Sequence, residues 1–138
     1  MADITITAAS VLAGADARTE NGTFGATITQ GQAVYKDATD GKYKLADTDS
    51  ATAAVKVPRG IALNAGSDGQ PATIQTSGNI TIGATLTAGV AYYLSPVAGG
   101  IAPLADVAVG DDYTLLGLAK SATVLDLDIQ VSGVTRAS

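Results

Sequence analysis

The chain has 138 residues, a net charge of −5 and a sequence pI of about 4.3, with no cysteine, no histidine and no tryptophan. Eight scattered Lys and Arg do not form the basic stripe that nucleic acid or an anionic membrane surface requires. The missing Cys and His exclude a disulfide framework, thiol nucleophiles, imidazole acid–base chemistry and the usual zinc sites, and fit synthesis in a reducing cytosol. The length fits one domain. Its apolar fraction rests largely on Ala and Val, with aromatics at 4%, so the core is expected to be thin and to draw stability from neighbouring subunits.

"MADITITAAS" opens the chain without a positive n-region or a long apolar run, so neither a secretory signal nor a membrane span is expected. Ile4 and Ile6 alternate instead, which reads as a short strand that must pair within the chain or on a partner. The next stretch, "AGADARTENG", is small, polar and turn-like, with Asn21-Gly22 as a turn.

From residue 25 the chain begins to repeat itself. "GATITQGQAVY" (25–35) returns as "GATLTAGVAYY" (83–93), 58 positions later. "RGIALN" (59–64) returns as "LGLAKS" (116–121) at 57, and "TIQTSG" (73–78) as "DIQVSG" (128–133) at 55. Three landmarks in one order define two pseudo-repeats, 25–78 and 83–133, within a β domain of residues 25–138, behind an arm of residues 1–24.

Within each copy the period is two. "QAVYKDATDGKYKLA" (32–46) reads as strand, turn and strand around Asp40-Gly41, and "VAYYLSPVAGGIAPLA" (90–105) as its twin around Gly99-Gly100. Pro96 and Pro103 belong at strand ends or edges. "GNITIGATL" (78–86) alternates. "VLDLDIQV" (124–131) places Leu125, Leu127, Ile129 and Val131 on one face against Asp126, Asp128 and Gln130 on the other. The helical candidates are "DSATAAVKV" (49–57), capped by Asp49 or Ser50 and stopped by Pro58, and "LADVAVGDDY" (104–113). The fold class is therefore all-β with minor helix. We expect a compact sandwich or barrel of two pseudo-repeats related by a pseudo-two-fold, preceded by an extended N-terminal arm.

No chemistry-bearing constellation emerges. The carboxylate pairs Asp126/Asp128, Asp47/Asp49 and Asp111/Asp112 read as solvated faces, since a glycosidase-like pair needs an aromatic-lined cleft. "DATDG" (37–41) and "ADTDS" (46–50) fit Asx-turns and lack the spaced ligands of a calcium loop. "LLGLAKSA" (115–122) fails the phosphate-loop pattern because Ala119 precedes Lys120. Tyr92-Tyr93 puts one ring inward and one outward. Neither a catalytic residue, a cofactor nor a metal is expected.

The pieces "VYKDATDGKY", "GIAL", "QTSG", "YYLSP" with "GGIAP", and "LGLA" with "LDLDI" occur here in an order that resembles the head decoration, or capsid cement, proteins of tailed bacteriophages. The resemblance spans roughly residues 25–133. It implies a structural virion protein that binds the outer surface of an expanded capsid. Its partner would be the major capsid protein, and it would be a homo-oligomer, commonly a trimer, that clamps neighbouring coat subunits. It implies no enzymatic activity, no nucleic acid and no membrane. The alternative is a β module of a tail fibre, spike or other receptor-binding appendage. Capsid contact is expected from the arm, at Asp3, Ile4, Thr5, Ile6, Thr7, Val11 and Leu12, through strand addition to a coat-protein sheet.

Overall fold

A computed structural model describes residues 4, 6–47, 53–95, 98–103 and 112–135. The chain is all-β, with one antiparallel sheet curled into a half-barrel. Its strands are β1 (Val11–Ala13), β2 (Arg18–Thr23), β3 (Ala33–Lys36), β4 (Tyr43–Leu45), β5 (Gly60–Ala62), β6 (Pro71–Ile82), β7 (Ala91–Leu94), β8 (Ile101–Pro103), β9 (Asp112–Ala119) and β10 (Val124–Thr135). Helix is confined, among the described residues, to single 3-10 turns at Ala8–Ser10 and Ala53–Lys56. The second turn falls inside the stretch expected to be helical. Its proposed caps Asp49 and Ser50, and most of the 104–113 candidate, lie outside the described residues.

The sheet runs β4-β3-β5-β6-β10-β9-β7-β8, with β1 and β2 added to β6. That order reads the same from either end once each first-half strand is matched to its second-half twin. Val34↔Leu45, Tyr35↔Lys44 and Lys36↔Tyr43 in the β3–β4 hairpin recur, 58 positions on, as Tyr92↔Pro103, Tyr93↔Ala102 and Leu94↔Ile101 in β7–β8. The turn hydrogen bonds recur as well. Gly31 N–H donates to Ala62 O at 2.9 Å, and Gly89 N–H to Ala119 O at 2.7 Å.

Gly60 and Gly117 sit at equivalent crossings. A Cβ on Gly60 would lie 2.2 Å from Gln75 O, and one on Gly117 2.1 Å from Asp126 O. Only glycine lets the neighbouring strand approach that closely. These crossings also correct the third sequence landmark: the structural partner of Gln75 is Asp126, 51 positions on, so "TIQTSG" and "DIQVSG" do not superpose. The shorter connection in the second half slides the letters: Gln75 lies 15 residues after Gly60, whereas Asp126 lies nine after Gly117.

The two halves meet asymmetrically. β2 pairs with one edge of β6, while β5 at Ile74–Gln75 and β10 at Ser77–Thr81 share the other edge. Gly78, at φ +94, sits where β6 passes from one of these neighbours to the other. On β10, by contrast, β6 and β9 take opposite edges. The pairing inside each half thus repeats, but the junction departs from a two-fold.

The arm joins the sheet in cis. β1 pairs Val11↔Ile82 and Leu12↔Thr81, and β2 pairs along β6 from Ser77 to Pro71. Asn21 and Gly22, expected in a turn, lie inside β2; the turn falls earlier, at Ala15–Asp16. The long free edge of β6 supplies backbone partners irrespective of side-chain type, which overrides the local turn preference.

Two apolar clusters fill the interior. The smaller is built by the first half: Phe24, Ile28, Val34, Tyr43, Ala62, Ala72 and Ile74. The larger contains the second half's Tyr92, Leu94, Ile101, Leu116, Leu125 and Leu127, and it also takes Ile80, Ile82, Ala33, Ala46 and Ile61. The sheet β3–β5 therefore separates two cores, with Val34 and Ala62 facing one and Ala33 and Ile61 the other. Each fully buried Ile or Leu contributes about 1.5–3 kcal/mol, which explains how a chain poor in aromatics builds a core.

Candidate functional site

The arm residues expected to meet a capsid are mostly engaged at home. Ile4 and Ile6 pack against the larger cluster, and Ile4 N–H donates to Ile101 O at 3.0 Å. Thr7 N–H donates to Gly83 O at 2.7 Å, and Val11 is buried in the same core. Leu12 points outward, 68% exposed. Asp3 and Thr5 lie outside the described residues. Thr7 and Ser10, with Thr81, Thr85 and Thr123, line a shallow hydroxyl-rich groove beside Gly83.

One polar cluster ties the arm to the first half. Arg59 grips the Glu20 carboxylate with two donors, Nε to Oε1 and Nη2 to Oε2, each at 2.8 Å. The Tyr43 hydroxyl donates to Glu20 Oε1, and Lys36 Nζ stands 5.9 Å from the Tyr43 ring centroid. The Arg59 hydrogen bonds, against partial burial and aided by Tyr43, pull the Glu20 carboxyl down from 4.5 to about 2. Burial first, and then the Glu20 carboxylate, hold the Tyr43 phenol well above its ordinary value. Tyr43 stays protonated and Glu20 ionised at every ordinary pH, so the pair is a clasp and not an acid–base couple.

The "DATDG" loop is a pair of Asx-turns. Asp37 Oδ1 accepts the Thr39 N–H at 2.8 Å, and Asp40 Oδ1 accepts the Lys42 N–H at 3.0 Å. Both carboxylates face Lys44 Nζ, at 2.7 and 3.1 Å. Hydrogen bonding to Asp37, then Asp40, raises the Lys44 amine, and the Lys44 contact lowers Asp37. Among the described residues no group of three or more acidic side chains converges as a metal site.

Of the other carboxylate pairs, only Asp126/Asp128 lies wholly within the described residues. Asp126 is half-buried and Asp128 exposed on β10, where Asp128 Oδ2 accepts a long 3.4 Å bond from Gln130 Nε2. Asp112 stands 3.8 Å from Lys56 Nζ. Asp49 and Asp111 lie outside the described residues. Glu20 is the chain's one glutamate, but no local spacing reveals its clasp, because its partners Tyr43 and Arg59 are 23 and 39 positions away.

Apolar surface gathers on the outer face of the second half. Tyr92 turns inward, its hydroxyl accepting the Thr87 N–H at 3.0 Å, while Tyr93 turns outward and meets Tyr113 edge-on with ring centroids 6.4 Å apart. Leu115, Gln130 and Val131 line a groove with these two rings. Leu118, one turn of the pleat further along β9, is 52% exposed. Patches of this kind mark places where another surface docks.

No helix among the described residues is long and apolar enough to cross a membrane. Compared with known proteins, the chain matches no family model, and no curated protein resembles it at a significant level.

Proposed function

We propose that the chain is a structural virion protein that binds the outer surface of a tailed-phage capsid and steadies the expanded shell by bridging neighbouring coat subunits. The single observation that carries this reading is the placement of the resemblance-bearing pieces. "VYKDATDGKY" is the β3–β4 hairpin and "GIAL" opens on β5; "YYLSP" with "GGIAP" is the β7–β8 hairpin, and "LGLA" with "LDLDI" is the β9–β10 pair. They form one duplicated frame and are not scattered decoration of unrelated loops. Leu12, exposed on the arm, offers contact area away from the β7–β9 face, and the major capsid protein is the partner this reading assigns to it.

The mechanism is mass action on a lattice. A ligand that binds only the expanded shell stabilises it by RT ln(1 + [L]/Kd) per site, about 2.7 kcal/mol at a hundredfold excess over Kd. If the chain acts as an oligomer, such as a trimer, one bound arm raises the effective concentration of the others, and each contact works at weak intrinsic affinity.

The test is the number of copies of this chain per major coat subunit in purified virions, counted by quantitative mass spectrometry. A ratio near one supports a protein that paves the shell. A few copies per hundred coat subunits would place it on a fibre, spike or vertex, and absence from virions would overturn the proposal.

A further inference from the structure

Within the chain, one contact between the halves is made once where the repeat offers it twice. Gly99, at the tip of the β7–β8 hairpin, is buried against the first half: its carbonyl accepts the Ala33 N–H at 2.9 Å, and its N–H donates to Ala46 O at 2.7 Å. A Cβ on Gly99 would meet Leu45 Cδ2 at 2.7 Å and Gln32 Cβ at 3.2 Å. That docking helps cover Ala33 and its cross-strand partner Ile61, both fully buried.

The twin of Gly99 is Gly41, 58 positions earlier at the tip of β3–β4, with φ +72 against +76. Gly41 is exposed, and a Cβ placed there meets nothing within 4 Å. The twin of the covered surface is more open: Val90, Ala91 and Pro103 are half-buried. Gln32, Ala33, Leu45 and Ile61 correspond to Val90, Ala91, Pro103 and Leu118, and Leu118 is 52% exposed where Ile61 is fully buried. The junction at β6 departs from a two-fold, and the second docking is not made within the chain.

We infer that the β3–β4 tip of one molecule docks on the β7–β9 face of a second copy of this chain, repeating between molecules the contact that Gly99 makes within one. Two observations name the occupant. The tip and face are the unpaired twins of a contact this sequence already makes, so their shapes are matched by descent from one repeat. The charges favour the unlike pairing as well: residues 25–78 are neutral, with five cations against five acids, whereas residues 83–133 set one cation against five acids, so a contact between two second halves would bring like charges together. At the tip Lys44 is held by Asp37 and Asp40 and Lys42 by Asp68, so the tip carries no excess of acid, while Asp126 stands across from Leu118 on the receiving face. The contact is heterologous, tip to face, so repetition generates a ring if the rotation closes and a filament if it does not. It does not depend on the capsid reading.

The chain has no cysteine, so single cysteines report the geometry directly. Ala38→Cys labels the exposed tip and Leu118→Cys the exposed face, and neither removes a buried side chain. Mixed under mild oxidation, the two variants should form an unlike disulfide-linked pair faster than either forms a like pair. In sedimentation the native chain should associate with rising concentration. Leu118→Asp, still folded by circular dichroism, should associate about tenfold more weakly or worse, as loss of a central apolar contact does. A native chain that stays monomeric to about 1 mM, a range in which only contacts weaker than about −4 kcal/mol are missed, would overturn the inference. So would unchanged association of Leu118→Asp, or Leu118→Cys pairing with itself as fast as with Ala38→Cys.

Discussion

At the scale of single residues, the Glu20 cluster and the glycine crossings have direct consequences. Glu20 titrates near 2 in the folded chain against an ordinary value of 4.5. A depressed carboxyl stabilises the fold above pH 4.5, and that contribution disappears as pH falls toward 2. Its side chain is 24% exposed and that of Arg59 55%, so solvent screening limits the effect to about 1–2 kcal/mol. Glu20→Gln should therefore lose about 1–2 kcal/mol at pH 7 in urea unfolding, and its stability should fall less than the native chain's between pH 4.5 and 2. Parallel pH curves for the two proteins would show the clasp to be inert. Gly60→Ala and Gly117→Ala test the crossings. Each new methyl would push into a backbone carbonyl that cannot swing aside, costing about 1–3 kcal/mol or more. Because the sites are twins, urea midpoints should drop for both; a neutral result at either would mean that its strands do not approach so closely.

At the scale of elements, the arm is a structural part before it is a binding part. Removing residues 1–12 takes away Ile4, Ile6 and Val11 from the larger cluster, along with most of the β1 pairing to β6. The truncated chain should unfold at lower denaturant, by about 2–4 kcal/mol, so its capsid binding is interpretable only beside its unfolding curve. Unaltered stability would mean that the arm leaves the core freely. The elements also show what the sequence could and could not reveal. The hairpins at 33–45 and 91–103 were legible because turn glycines flank alternating residues, and the 58-residue offset carries over into their cross-strand pairs. Leu125 and Leu127 are buried as the alternation in "VLDLDIQV" requires. The pattern fails at Val131, which is 44% exposed, because the register shift after Leu127 re-aims the end of β10. β2 was illegible: Arg18–Thr23 has strand geometry because β6 offers an edge, a fact held by residues 48 to 59 positions away. The Glu20 clasp was hidden for the same reason, being assembled from three elements that only the closed sheet brings together.

At the scale of the whole molecule, the two halves should behave as one cooperative body, because the larger cluster is not private to either. Ile61 belongs to β5 of the first half yet is buried among side chains of the second; Ile74, on β6 across from Ala62, belongs to the smaller first-half cluster. Ile61→Ala should cost about 2–5 kcal/mol and should speed amide exchange in β9 and β10 as much as in β5, since sub-global opening follows shared packing. Ile74→Ala should loosen β3 and β5 more than β9, although the global cost is similar. Hydrogen exchange on the native chain and the two variants separates these outcomes. If Ile61→Ala left β9 protection unchanged, the halves would open independently, and the second half's exposed face would be carried on a module free to move against the first. A clamp between coat subunits transmits load only if its contact surfaces are rigidly joined, so the same exchange experiment sets the mechanical limit on the proposed function.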